Sequence, residues 1–255
     1  VSMRTLFSGP RPSLRDHKPN VQLAERRLFL RGGLSIGALS LLSGCDLTDN
    51  EQVDSVLTAI SRLNDRAQAA LFSRTTLAPT YTAADITPNF PFNAYYAESK
   101  LRPVDGEHWK LELAGRIADK KPWTLADLRT LPQESQITRH ICVEGWSAIG
   151  QWSGVPFRTF LERIGADTKA AYIGFTCADD YRTSIDMATA LHPQTIIALD
   201  YAGAPLPDRY GYPIKLRIPT KLGFKNPKQI LAMTVTNDYP GGYWEDQGYN
   251  WFSGS

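Results

Sequence analysis

Cysteine is scarce: the 255-residue chain has three, Cys45, Cys142 and Cys177. None lies in a Cys-x-x-Cys-His stretch, which excludes covalent attachment of a c-type haem. The uncharged, moderately apolar stretch from Gly32 to Gly44 is too short to span a bilayer as a helix, and its four glycines work against a stable soluble helix. Internal repeats and low-complexity tracts are missing as well. So is a charge of one sign. The formal net charge is +2, but seven of the 28 Lys and Arg and only two of the 26 Asp and Glu precede residue 46. The rest holds 21 bases against 24 acids, a net −3, and so has no electrostatic footprint of a nucleic-acid-binding protein. The whole chain is 42% hydrophobic with six tryptophans, enough for one sizeable core.

The N-terminus reads as an address. Arg26-Arg27, then Phe29-Leu30, then the apolar stretch form a bacterial twin-arginine export signal over residues 1–45. Leu42-Ser43-Gly44-Cys45 is similar to a lipobox, which makes Cys45 the lipidated first residue of a periplasmic mature chain touching the membrane through that anchor. The twin-arginine route carries proteins already folded, typically around a cofactor inserted in the cytoplasm, so the remaining cysteines become candidate cofactor ligands.

Residues 46–75 divide into a polar linker and an amphipathic helix. Val53, Val56, Leu57, Ile60, Leu63, Ala67 and Leu71 recur at helical spacing over 52–72, with Arg62, Asp65 and Arg66 expected to face water. Residues 76–255 form the main domain. It opens with a Pro-rich extended segment to residue 106 that contains Thr87-Pro-Asn-Phe-Pro-Phe-Asn93, unusually aromatic and amide-rich for a loop. Strands are expected at 109–114, 136–143, 171–177, 195–201, 214–218 and 229–236. Thr124-Leu-Ala-Asp127 is a capping box for a two-turn helix, Pro156 opens a helix ended by Gly165, and Ser184 to Met187 begins another that ends near His192. Ala202-Gly203 turns a hairpin. Short strands interspersed with short helices predict an α+β fold around a mixed sheet.

Chemistry concentrates in two stretches. In Thr138-Arg-His-Ile-Cys-Val-Glu-Gly-Trp-Ser147, Cys142 ends a strand ahead of a turn, with Arg139 and Glu144 beside it in sequence. A neighbouring cation lowers a thiol's pKa and favours the metal-binding thiolate. A structural cysteine, or a disulfide to Cys177 in an oxidising compartment, is the alternative. In the second stretch Lys221, Lys225 and Lys228 crowd eight residues between strands, with Gly223 and Asn226 permitting tight turns. Backbone amides and ammonium groups gathered this way suit a phosphate, against the alternative of a solvated basic hairpin. His192 and Asp180 are candidate supporting groups whose ordinary reading is structural.

Residues 139–152, 219–228 and 89–93, in this order and behind that signal, resemble the molybdopterin-binding domain of the sulfite oxidase superfamily. The likeness spans about residues 80–240 and is greatest to its haem-free bacterial branch, typified by protein-methionine-sulfoxide reductase catalytic subunits. The resemblance implies a sulfite-oxidase-type fold and molybdenum held by one molybdopterin dithiolene, oxygen ligands and one protein thiolate, Cys142. Arg139 and Glu144 then flank the metal as catalytic candidates. Asn89, Phe92 and Asn93 match the first cofactor-binding segment, with Phe-Asn where the branch has Tyr-Glu. Cys177 stands for a Thr, Tyr210 for an Asn and Lys215 for a phosphate-binding Arg, keeping charge but not the bidentate fork. Asn226, Pro227 and Lys228 match the segment that cradles the phosphate.

The implied activity is two-electron oxo-transfer with a small-molecule oxygen donor or acceptor. Sulfite-oxidising members surround the metal with arginines; here only Arg139, Arg182 and Lys221 are available, beside Trp146 and Trp152. That favours reduction of a sulfoxide or N-oxide over sulfite oxidation. Lacking a haem motif, the chain needs an electron-transfer partner, a membrane haem protein or a periplasmic cytochrome. The rival reading is a cofactor-free lipoprotein binding module of the same fold.

Overall fold

The computed structural model describes residues 51–255, so the twin-arginine and lipobox readings lie outside the described residues. Contacts divide the chain into units Val1–Ala59 and Ile60–Ser255. The first described element is helix α1, Glu51–Leu71. Among the described residues no helix is long and apolar enough to cross a membrane.

Two sheets carry the larger unit. The first, in the order β2-β1-β10-β5-β6, comprises Trp123–Thr124, Lys110–Gly115, Ile230–Thr236, Tyr172–Cys177 and Arg182–Asp186. Its β1 and β10 run parallel and the other pairs antiparallel, so the sheet is mixed. The second runs β3-β4-β7-β8, comprising Glu134–Ile141, Ser147–Pro156, Ile196–Tyr201 and Ala204–Pro205, with β9 (Lys215–Arg217) added on β7. Short helices α2 (Leu125–Arg129), α3 (Phe157–Arg163) and α4 (Met187–Ala190) join the strands. The α+β expectation holds.

Local chemistry explains the element ends. Thr124 Oγ1 accepts from Asp127 N at 3.1 Å and the Asp127 carboxylate accepts from Thr124 N at 3.0 Å, a reciprocal cap for α2. The helix expected from Ser184 starts three residues later. Residues 182–186 are β6, and Asp186 caps α4 by accepting from Thr189 N at 2.8 Å. The polar look of that strand misleads because its buried hydroxyls find distant partners: Ser184 Oγ donates to Gly241 O and Thr183 Oγ1 to Glu245, both at 2.7 Å. Asp65, expected to face water, instead accepts from Asn250 Nδ2 at 2.7 Å and Phe252 N at 3.0 Å.

One core cluster includes Trp109, Leu111, Phe157, Phe160, Ile173, Phe175, Met233 and Val235; a second centres on Phe90, Trp152, Ala198 and Tyr210. Phe90 meets Trp152, Tyr201 and Tyr210 edge to face at 5.4–5.9 Å, pinning the Pro-rich segment onto the second sheet. Strand β4 presses on β7 where the register shifts at Gly154, and a Cβ there would lie 1.9 Å from Ile197 O. Backbone cannot yield as a flexible side chain does, so Gly154→Ala is expected to lower stability by at least about 2 kcal/mol. Urea unfolding at neutral pH checks this; an unchanged midpoint would show that the strands separate freely.

Candidate functional site

Alternation along β3 decides which side chains meet. His140 and Cys142 are buried while Arg139 is exposed. Beyond β3 the chain turns tightly: Gly145 N donates to Cys142 O at 3.1 Å, Cys142 N to Trp146 O at 2.9 Å, and Gly145 takes φ +89°. The turn leaves Cys142, 4% exposed, lining a cavity of about 260 Å³ together with Asn93, Glu144, Tyr181, Asn226 and Lys228.

Asn93 Nδ2 donates to Cys142 Sγ at 3.4 Å. The thiol lies 3.6 Å from Glu144 Oε2, which also accepts from Trp146 Nε1 at 2.9 Å. Burial first, then the Glu144 charge, push the Cys142 thiol above its ordinary value. This corrects the expected lowering by Arg139. Three residues apart on a strand put the two side chains on opposite faces, and the Arg139 guanidinium lies over Tyr81 at 5.2 Å, lining a different cavity. Cys177 is buried and its thiol is raised further, by burial and then Asp179. Both cysteines are free, so the alternative disulfide is not formed.

The lysine-rich turn sorts its cations. Lys221 donates to Phe252 O at 2.7 Å with Asp186 at 3.7 Å, and Lys225 donates to Ser184 O at 2.9 Å and pairs with Glu245. Both are tied into the fold. Lys228 alone of the three lines the cavity; its Nζ has no hydrogen-bond partner and sits 4.1 Å from the Phe92 ring centroid. Asn226 uses its side chain internally, Oδ1 accepting from Arg217 Nη1 at 2.9 Å and Ile218 N at 2.7 Å.

Two groups outside the sequence-read set complete the picture. Arg217 is fully buried, its Nη2 donating to Thr138 Oγ1 at 3.2 Å while Nε has no partner. His140 is fully buried with neither ring nitrogen bonded, packed against Phe90 and Trp146 at 5.7 Å. Burial, then Lys215 and Arg217, hold its pKa well down. Their only signal in the sequence is alternation, His140 sharing a strand face with Cys142 and Arg217 with Lys215.

Lys215, 2% exposed, holds its Nζ 5.0 Å from the Trp152 ring centroid, and its pKa is well lowered by burial, then by Lys228 and Arg217. Burial lowers Arg217 to about 9 and Lys228 to about 8, the latter against the pull of Asp179. Buried cations repelling one another are costly unless an anion enters between them. A phosphate-bearing cofactor fits this set. Asn89, with φ +54°, is exposed, and Tyr210 Oη donates to Phe90 O at 2.8 Å; neither lines the Cys142 cavity. Pro227 lines the Cys142 cavity. His192 instead bonds Thr76 O at 3.0 Å, Arg182 pairs with Asp246, and neither these nor Asp180 lines it. Among the described residues there is no cluster of three or more His, Cys, Asp and Glu.

A buried thiol and the unbonded ammonium of Lys228 line one cavity between the loops of a mixed and an antiparallel sheet, a setting that suits an anionic cofactor. Residues 99–244 match the oxidoreductase molybdopterin binding domain family, and the chain belongs to it. It is 61% identical over 235 residues to a putative protein-methionine-sulfoxide reductase subunit YedZ1 of Azospira oryzae, covering 92% of this chain and 90% of that one. Identity to the protein-methionine-sulfoxide reductase catalytic subunit MsrP of Campylobacter jejuni is 29%, over 89% of this chain and 78% of the relative. The sulfane dehydrogenase SoxCD of Paracoccus pantotrophus shares the fold, with TM-score 0.51 and 16% identity over 54% of this chain and 40% of that one. The protein is thus a molybdopterin-binding oxidoreductase of sulfite-oxidase-like fold.

The Lys228 pKa of about 8 in the folded protein lies below the 10.5 of the exposed group, so between these values the unfolded chain binds more protons. The contribution of this lysine to stability therefore rises with pH across that window. In cofactor-free protein Lys228→Met should be the more stable form below about pH 8, with the gap closing toward 10.5. Urea midpoints of both forms across that range check it; a gap independent of pH would show that Lys228 is not held uncompensated.

Proposed function

We propose that the chain is a periplasmic molybdenum oxidoreductase that reduces neutral sulfoxides, methionine sulfoxide foremost, with electrons from a membrane haem protein or a periplasmic cytochrome. The carrying observation is the make-up of the Cys142 cavity. Among its lining residues Lys228 is the sole cation, while Tyr95, Tyr181, Phe224, Trp244 and Tyr249 supply aromatic surface. A small dianion such as sulfite draws its affinity from charge complementarity, which one lysine committed to a cofactor phosphate does not supply. A neutral S-oxide with an apolar side chain needs only the aromatic wall and a hydrogen-bond donor. The names of the relatives from Azospira and Campylobacter point the same way.

In this reading Cys142 is the one protein ligand to the metal, its thiol proton passing to the Glu144 carboxylate beside it. Soft thiolate suits such a centre. Asn93 keeps an N–H on the sulfur and orients it. Lys228 and Lys215 hold the cofactor phosphate, and the backbone of Asn226 and Pro227 forms its cradle. When bound, the cofactor supplies the two-electron couple and the oxygen-accepting centre; the protein supplies position and electrostatics. The net change is sulfoxide plus two electrons and two protons to thioether plus water.

Turnover on purified, molybdenum-replete protein separates the alternatives. Reduced viologen as donor should drive methionine sulfoxide, with N-oxides slower, and ferricyanide should receive no electrons from sulfite. Efficient sulfite oxidation without S-oxide reduction would reverse the direction and substrate while leaving the family intact.

A further inference from the structure

From Ile60 onward helix α1 presents its large apolar residues outward. Asp65 is bonded to Asn250 and Phe252, and the residues that recur at helical spacing lie on the open side: Ile60 is 55% exposed, Leu63 65% and Leu71 86%. The stripe continues past the helix into Leu77, 56% exposed, at a groove of about 810 Å³. Phe72, Leu77, Pro79 and Tyr81 line that groove, along with Arg139 and Thr220, whose buried hydroxyl has no partner. Arg62, Arg66, Arg74 and Arg139 are all exposed, and none is among the ion pairs of the described residues. A chain that is net −3 from residue 46 onward thus gathers unpaired arginines beside its exposed apolar stripe.

We propose that the outer face of α1 from Ile60 to Leu71, with the groove at its end and Arg62, Arg66, Arg74 and Arg139 around it, is a docking surface for an anionic phospholipid bilayer. A helix lying in the interface buries an apolar face among acyl chains while flanking cations meet lipid phosphates. The stripe from Ile60 to Leu71 runs roughly 17 Å, too narrow by itself for the roughly 1,200 Å² that a stable dimer buries but sufficient for shallow insertion. An acylated Cys45 would stand six residues before α1 begins and hold it against the bilayer. That tether rests on the export reading; the surface does not.

The test uses the full-length, cofactor-loaded protein carrying an environment-sensitive fluorophore at Leu63→Cys, at Leu71→Cys or, as control, at the exposed Lys120→Cys. Vesicles are pure phosphatidylcholine or phosphatidylcholine with about a third phosphatidylglycerol. The labels at 63 and 71 should shift to the blue on anionic vesicles alone, the shift fading with added salt and the label at 120 staying unchanged. Adding Arg66→Gln and Arg74→Gln should raise the lipid concentration needed about thirtyfold. No shift at 63 and 71 would overturn the proposal. So would a shift that appears without vesicles as protein concentration rises, which would make a second copy the occupant. A shift retained in protein whose Cys45 carries no lipid would support the surface as binding without the tether.

Discussion

Arg217 is the side chain on which the geometry of the site depends. Fully buried in β9, its guanidinium donates to Asn226 Oδ1 on one side and to Thr138 Oγ1 and Arg139 O on the other. It therefore ties the strand that ends at Cys142 to the turn that carries Lys228. The thiol and the anion site belong to separate stretches of chain, and this one charge fixes their separation. Such a charge costs free energy to bury, and three carbonyl or side-chain acceptors offset part of that cost.

The same logic explains how lysines close in sequence take different work. Lys221 and Lys225 are each answered, by Asp186 and Phe252 O and by Glu245 and Ser184 O. Lys215 lies over the Trp152 ring and Lys228 over the Phe92 ring, Lys228 also feeling the charge of Asp179 without a hydrogen bond to it. Cation–π contacts compensate a buried ammonium in part. In the proposed function this unbalanced charge is where the cofactor phosphate would rest, and Lys228 lines the cavity of Cys142. His140 and Cys142 thus share one face of the chain at the end of β3, while Arg139 on the other face lines the groove beside α1.

Much of this was legible in the sequence. The strands β1, β3, β5, β7 and β10 declared themselves by alternation or by apolar runs, the hairpin by Ala202-Gly203 and α2 by its cap. Strand β6 did not, because buried Thr183 and Ser184 look like surface residues until Glu245 and Gly241 are placed beside them. Arg139 was assigned to the thiol by its nearness in sequence, although strand geometry already put it on the other face. His140 and Arg217 escaped notice for a different reason. A fully buried His or Arg is rare, and nothing local tells it from an exposed one. The apolar stripe of α1 follows from periodicity, but its outward direction runs against the expectation that Asp65 faces water, because Asp65 reaches residues at the far end of the chain.

The central claim is that Cys142 binds the metal of a cofactor whose phosphate rests on Lys215 and Lys228. X-ray absorption at the molybdenum edge tests it most directly, on wild-type protein and on Cys142→Ser purified with its pterin retained. The account predicts that the variant loses one sulfur from the molybdenum coordination sphere while the dithiolene sulfurs persist. An unchanged sulfur count in Cys142→Ser would contradict it.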